Sequence, residues 1–375
     1  MKESVISIRN KIEKIIYKYL VKRIFFLIDP ETTHNMLVRI GKTLGTNAIT
    51  RGLTASCFRY RNKKLEQDIL GIHFGNPIGL SAGFDKNAHL TDILPAVGFG
   101  FEEIGSITAE PCAGNPKPRL WRLPKSQAII VNYGLMNDGS KAIAQKLRKK
   151  NFKIPIATSI AKTNCLETAD TNKGIEDYAK GFKEFTNIGD LFVVNISCPN
   201  AFGGQPFTDK KRLQKLLQRL DKIKTKKPVF LKIAPDLSHK EMNDIIAVAK
   251  KHRIHGFILT NLSKKREHWK IPDKELPSKG SISGKAVEKM SNDLLAYTYK
   301  KTKGQFILVG CGGVFSAEDA YTKIKLGASL VQLITGMIFE GPQVISEINQ
   351  GLVKLLKQDR YKNISEAVGS AYSKR

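Results

Sequence analysis

The chain reads as an α/β protein, a (β/α)8 (TIM) barrel with a small N-terminal amphipathic helical extension. Eight short apolar, β-rich runs recur along it, at 76–82, 101–108, 154–160, 191–197, 228–234, 256–261, 306–310 and 329–335. Most are followed by a helical pattern, such as 238–252 and 314–326. Wholly apolar strands alternating with helices imply a parallel sheet. Eight such units within about 280 residues close into a barrel rather than spread into an open, doubly wound sheet.

Taken in order, residues 1–45 come first. Val5, Ile8, Ile12, Ile15, Ile16, Leu20 and Ile24 recur at helical spacing, with Lys11, Lys14, Lys18 and Lys22 on the opposite face. Asp29-Pro30-Glu31 ends that helix and starts a second, since Asp suits the N-cap and Pro the first helical position. The second helix carries Thr33, Leu37, Ile40 and Leu44 as its stripe and stops near Gly45. Two short amphipathic helices, one strongly basic, can lie in the headgroup region of an anionic membrane. The same pattern also serves helices packed on the main domain or between subunits. Residues 46–75 read as a polar connector containing Arg59-Tyr60-Arg61-Asn62-Lys63-Lys64. The barrel takes 76–360, with long gaps at 109–153 and 262–283 read as active-site insertions. Residues 361–375 read as a basic C-terminal tail.

Composition narrows the function classes. The 375 residues are 41% hydrophobic and 26% charged, enough for a large core. The five cysteines, Cys57, Cys112, Cys165, Cys198 and Cys311, are scattered without a CxxC pair. That argues against structural zinc or an iron–sulfur cluster, so no metal is expected. No apolar run approaches the roughly 20 residues that span a bilayer, and no cleavable leader is evident. The expected location is cytoplasmic, peripheral on the cytoplasmic face of the cell membrane. A formal charge of +28 admits an anionic partner. Its lysines are spread along the whole chain, and runs such as Arg148-Lys149-Lys150 lack interleaved aromatics, so no nucleic acid is expected.

The strand ends hold the chemistry. Val193-Val194-Asn195-Ile196-Ser197-Cys198-Pro199-Asn200 runs from a strand into a turn. A thiol therefore sits between two carboxamides at the C-terminal rim, where such barrels react. Two Asn side chains suit a planar, amide-rich ligand. Ser81 to Lys86, Gly105 to Thr108, Thr158-Ser159 with Lys162, Lys232 and Thr260-Asn261 end other strands. Gly312-Gly313 and Thr335-Gly336 end strands seven and eight, where glycine turns before helices bind phosphate. Lys232 either lies under that ligand or pairs with a carboxylate. No GxGxxG follows the first strand, so a flavin mononucleotide fits better than a dinucleotide.

These residues resemble the dihydroorotate dehydrogenases, flavin enzymes of pyrimidine synthesis. The resemblance rests on 76–86, 114–120, Asn195 to Asn200, 232–237, Thr260-Asn261 and Gly312-Gly313, in family order from 28 to about 350. The basic amphipathic N-terminus with Asp29-Pro30-Glu31 is similar to the membrane-associated, quinone-linked class. The resemblance implies FMN contacts at Ala82, Gly83, Ser106, Asn195, Lys232, Thr260, Gly284, Gly313, Thr335 and Gly336. It implies that Lys86, Asn195, Asn200 and Asn261 hold dihydroorotate. Cys198 would take the C5 proton as C6 gives hydride to the flavin, with orotate as product and a quinone as acceptor.

There are departures. The quinone-linked class usually places Ser, followed two positions beyond its proline by Thr, where this chain has Cys198 and Ala201, as in soluble classes. A soluble oxidant, fumarate or a partner protein, is the alternative acceptor. The turn at Asn132-Tyr133-Gly134-Leu135-Met136-Asn137 is one residue short of the family's Asn-x-x-Gly. Ungapped, its Asn position falls on Val131, and Asn132 and Asn137 are carried as substrate contacts. Ser159 stands where an Asn usually touches the flavin.

Overall fold

The computed structural model of the protein describes residues 3–269 and 271–372. At its centre is a closed barrel of parallel strands. They are Ile78–Leu80, Phe101–Ile107, Ile156–Ile160, Leu191–Asn195, Val229–Ile233, Gly256–Leu259, Ile307–Cys311 and Leu330–Leu333. Each matches a run read from the sequence to within two residues at either end. Strands adjacent in the series are adjacent in the barrel, and the last closes on the first with Gln332 opposite Gly79.

Side chains alternate in and out along a strand, so the inward set advances in steps of two. Its lower layer is apolar: Phe101, Ala157, Val193, Phe230 and Val309 share one buried cluster. Two residues onward lie Glu103, Ser159, Asn195, Lys232 and Cys311. The interior thus changes from apolar to polar within one step, and the polar layer lies at the C-terminal rim. Below, an antiparallel hairpin, Gln67–Ile69 with Ile72–Phe74, closes the barrel. Phe74 meets Phe101 edge-on at 5.6 Å, and Ile69 joins the same cluster.

The stretch read as a polar connector is therefore structured. Besides the hairpin it holds a helix, Ala48–Phe58, whose N-cap Asn47 accepts from Ile49 N and Thr50 N. Ile49 and Leu53 remain exposed on that helix, so no buried apolar face marked it. The tail is anchored too. Asn363 caps Ile364–Ala367, both of whose end residues are buried, and Tyr372 stacks on Tyr299. The last three residues lie outside the described residues.

The two insertions fold together. Leu120–Leu123 and Ala128–Val131 form a hairpin, and Ser281–Gly284 adds to its second strand.

The N-terminal segment is helical from Glu3 to Leu27, through a π-helical turn at Tyr17–Val21. Asp29 then caps Pro30–Gly45, its side chain accepting from Thr32 N. Three of the four lysines of the basic face turn inward, and Lys11 stays exposed. Lys14 lies 3.0 Å from Glu347, Lys18 2.7 Å from Glu340, and Lys22 sits over the Phe339 ring. The apolar face is turned outward: Ile8, Ile12, Leu20 and Ile24 are exposed, and Leu27 is 89% exposed. The carboxylates of Glu340 and Glu347 decide this orientation, and periodicity alone does not reveal them.

Candidate active site

Two adjoining cavities open at the rim. The smaller, about 490 Å³, is lined by Thr260, Gly284, Gly313 and Gly336. The larger, about 940 Å³, is lined by Gly83, Lys86, Ser106, Asn195, Cys198 and Asn200. Ala82, Lys232, Asn261 and Thr335 line both. The residues given a catalytic, flavin or substrate role from the sequence all line one or both cavities, except Asn132 and its alternative Asn137. Ser159 and Lys162 lie behind this lining.

The smaller cavity has the form of an anion cradle. Gly312 and Gly313 follow strand seven with φ of 112° and 75°, where a side chain is strained. A Cβ on Gly313 would lie 2.3 Å from Glu288 Cβ, and one on Gly336 2.0 Å from the Val314 carbonyl. Only glycine keeps these turns closed and bare, with backbone N–H groups free to meet a phosphate. Thr260 Oγ1 is buried with no hydrogen-bond partner among the described residues. A buried polar atom left open at a cavity wall fits a ligand with a polar edge. The residues present therefore fit the phosphate and ring of a flavin.

Lys232 lines both cavities and pairs with a carboxylate. Its ammonium lies 2.8 Å from Glu103 Oε2 and 3.0 Å from Ser81 Oγ, and the pair is almost wholly buried. Glu103 Oε2 also accepts from Ala82 N at 3.2 Å, which ties the end of strand one to the same charge. An ammonium has three donors, so one remains for a ligand.

On the larger side the carboxamides are held by their neighbours. Asn195 Nδ2 donates to Ser106 Oγ at 2.8 Å, and Ser106 shares a hydrogen with Ser159 Oγ at 2.8 Å. Asn261 Nδ2 donates to Asn195 Oδ1 at 3.3 Å and to Ser197 Oγ at 3.1 Å. Asn200 donates to the Val131 carbonyl at 2.7 Å and accepts from Ser281 Oγ at 3.1 Å, linking the rim turn to the insertion sheet.

Asn132 is turned away. Strand alternation sends Val131 into the cavity and Asn132 behind it, where its side-chain oxygen accepts from Asn115. Asn137 is occupied with its own turn, donating to Thr108 Oγ1 and accepting from Gly139 N.

Lys86 meets residues that no motif pointed to. It donates to His34 Nε2 at 3.0 Å and lies 3.9 Å from the Tyr133 ring centroid. Burial pushes its ammonium down to about 7, while Glu31 pulls the other way. His34 is held well below its ordinary range by burial and by Lys86, so it accepts as a neutral imidazole. Both His34 and Glu31 come from helix Pro30–Gly45, and Glu31 pairs with Arg119 of the insertion at 2.7 Å. The N-terminal extension is thus part of the site wall. Cys198 lies across the cavity. Burial pushes its thiol up to about 11, opposed by the Asn200 N–H and by Lys162.

The family model for dihydroorotate dehydrogenase matches residues 64–356. The dihydroorotate dehydrogenase (quinone) of Trichodesmium erythraeum is 36% identical over 364 residues, covering 92% of this chain and 94% of that one. The protein of the same name from Christiangramia forsetii is 38% identical over 346 residues, 90% and 99% of the two chains. The crystal structure of DHODH from Eimeria tenella in complex with ferulenol superposes with a TM-score of 0.81 at 28% identity. It covers 92% of this chain and 96% of that one. A family model over residues 64–356 and relatives 36–38% identical along nearly the whole length show that this chain belongs to the dihydroorotate dehydrogenase family.

Proposed function

We infer that this chain oxidises (S)-dihydroorotate to orotate in pyrimidine synthesis, with FMN as its flavin and a quinone as electron acceptor. The observation that carries the reading is the junction of the two cavities. Cys198, Lys86 and the carboxamides face one side, the glycine cradle the other, and Lys232 reaches both. Bound FMN supplies an acceptor for the hydride that leaves substrate C6.

The remaining work belongs to the chain. Gly312, Gly313 and Gly336 hold the phosphate, and Lys232 sets a positive charge under the ligand body. Ala82, Gly83, Ser106, Thr260, Gly284 and Thr335 line the rest of the flavin's path. Lys86 holds the substrate carboxylate, and Asn195, Asn200 and Asn261 hold the ring amides, which fixes C5 before Cys198. The Cys198 thiolate takes the C5 proton and becomes a thiol again. The exchange of Ser for Cys at this position alters the base and leaves the acceptor unchanged. Relatives named for quinone, each spanning nearly the whole chain, favour quinone over fumarate.

Two ionisations then oppose one another. Lys86 is charged below about 7, so capture of the carboxylate by free enzyme weakens above that pH. Cys198 is a base only as thiolate, which becomes more populated toward about 11. From pH 7 to 9 the KM for dihydroorotate should rise while the limiting rate of flavin reduction also rises. Lys86→Met should raise KM and remove its pH dependence. Steady-state and stopped-flow profiles over that range check both.

The outward apolar face of the first helix supports a peripheral seat on a membrane, where a quinone dissolves. No helix among the described residues is long and apolar enough to cross one. Leu120, Ile129 and Ile338 give the larger cavity an apolar wall next to His34, a route for a quinone from that side. Ile12→Glu with Leu20→Glu should cut vesicle binding at least about tenfold, since each side chain is worth roughly 1.5–3 kcal/mol when buried. Flavin reduction by dihydroorotate should persist. Vesicle sedimentation and orotate formation with a quinone analogue test the whole reading. Failure to form orotate overturns the reaction, and unaltered sedimentation of the double variant overturns the seat.

A further inference from the structure

Lys162 is a buried cation that forms no ion pair among the described residues. It is 3% exposed, and its ammonium donates to two neutral oxygens, the Phe202 carbonyl at 2.7 Å and Thr168 Oγ1 at 3.3 Å. The nearby Asp177 carboxylate is engaged by Thr163, through N at 2.7 Å and Oγ1 at 2.8 Å. One ammonium hydrogen is therefore left over. Lys162 shares a small chamber with Cys198, Ala201, Gly204, Tyr178 and Asn195.

The turn after Cys198 needs an anchor. Gly203 and Gly204 both take positive φ, 73° and 68°, and the Phe202 ring is 50% exposed, so side-chain packing does not hold this turn. Its main chain is held instead. The Phe202 carbonyl accepts from Lys162 and the Phe202 N–H donates to Asn164 Oδ1, both from the segment after strand three.

Lys162 is the cation that shares the small chamber with Cys198, while Lys86, Lys232, His34 and Tyr133 line the larger cavity with it. From helix Thr171–Glu184 comes Tyr178, whose hydroxyl is kept neutral by burial and donates to the Asn195 carbonyl at 2.7 Å. From the 109–153 insertion comes Cys112, and Cys165 lies near Lys162.

We propose that Lys162 is a positioning residue for the dehydrogenation: it clamps the turn after Cys198 through the Phe202 carbonyl and supplies the positive field in which the Cys198 thiolate forms. The inference rests on Cys198 as the base. The proton balance is closed without Lys162. The thiol gives its proton to solvent, the thiolate takes the C5 proton, and Lys162 remains an ammonium throughout. Its contribution is a fixed charge beside a group that gains negative charge in a water-poor site.

The test uses flavin-loaded enzyme and two readouts. The first is the pH midpoint of Cys198 alkylation by iodoacetamide, followed at that peptide by mass spectrometry without substrate. The second is flavin reduction by dihydroorotate. In Lys162→Met the midpoint should move up by about one pH unit or more. Reduction at pH 8 should fall about tenfold with the thiolate fraction, and the KM should rise as the turn loosens. Lys162→Arg should restore most of the midpoint. Lys180→Met, which removes an exposed lysine paired with Glu110, should leave it in place. If Lys162→Met does not fold, Lys162→Gln removes the same charge and should show the same midpoint shift.

An unchanged midpoint and KM in a folded, flavin-bound variant overturns the proposal. The base reading fails separately, if Cys198→Ala reduces flavin at the parent rate. In a Cys198→Ala background Lys162→Met should alter KM alone, and a further pH-dependent loss there would place Lys162 on some other group.

Discussion

Cys198→Ala is expected to slow flavin reduction by dihydroorotate about 10²- to 10⁴-fold, the usual worth of a positioned base. Flavin content should be unchanged, because Cys198 lines the larger cavity and is absent from the glycine cradle. The effect should be steeply pH-dependent in the parent enzyme. With the thiol pushed up to about 11, only on the order of one molecule in a thousand carries the thiolate at pH 8. Cys198→Ser should keep partial activity and move the profile to still higher pH, since a hydroxyl is a weaker acid than a thiol. Stopped-flow reduction at several pH values gives all three results. Parent-like reduction in the alanine variant would leave Cys198 as a packing residue.

Lys232→Ala should have the largest effect on the folded protein. Glu103 is fully buried and its Oε1 already lacks a partner among the described residues. Removing the lysine leaves a carboxylate alone in the barrel, and such a loss typically costs about 3–5 kcal/mol. The same change strips the flavin site of its floor. The variant should therefore melt well below the parent and purify without flavin. Lys232→Met combined with Glu103→Gln separates the two roles. It removes the stranded charge, so thermal stability should largely return while flavin reduction does not. Thermal melts and flavin stoichiometry read the outcome. A single variant that melts like the parent and keeps its flavin would mean the ion pair carries neither role.

The barrel and most of its rim were legible in the sequence for a physical reason. Parallel strands covered on both faces must be apolar, so each strand announces itself, and whatever polar residue ends it stands out. Asn195, Lys232 and Thr260-Asn261 are conspicuous in that way. What could not be read is set by contacts distant in sequence. Glu103 lies beside Glu102 in strand Phe101–Ile107, and nothing local says which of the two faces Lys232, 129 positions away. His34 and Glu31 lie one turn into an ordinary amphipathic helix, and only folding brings them to Lys86 and Arg119. The inward turn of Lys14 and Lys18 depends on Glu340 and Glu347 in the same way. Asn132 shows a different limit. A slip of one position in a strand reverses the face, and Val131 rather than Asn132 meets the cavity.

The central claim is one electron path, from dihydroorotate through a flavin to a quinone, and its two halves can be measured apart. Anaerobic purified protein is mixed with dihydroorotate and its flavin absorbance followed to full reduction. The reduced protein is then mixed with a ubiquinone or menaquinone analogue, or with fumarate. The path predicts bleaching by dihydroorotate, one orotate per flavin, and reoxidation by quinone far faster than by fumarate. Flavin that stays oxidised with dihydroorotate would contradict the reaction, and faster reoxidation by fumarate would contradict the acceptor.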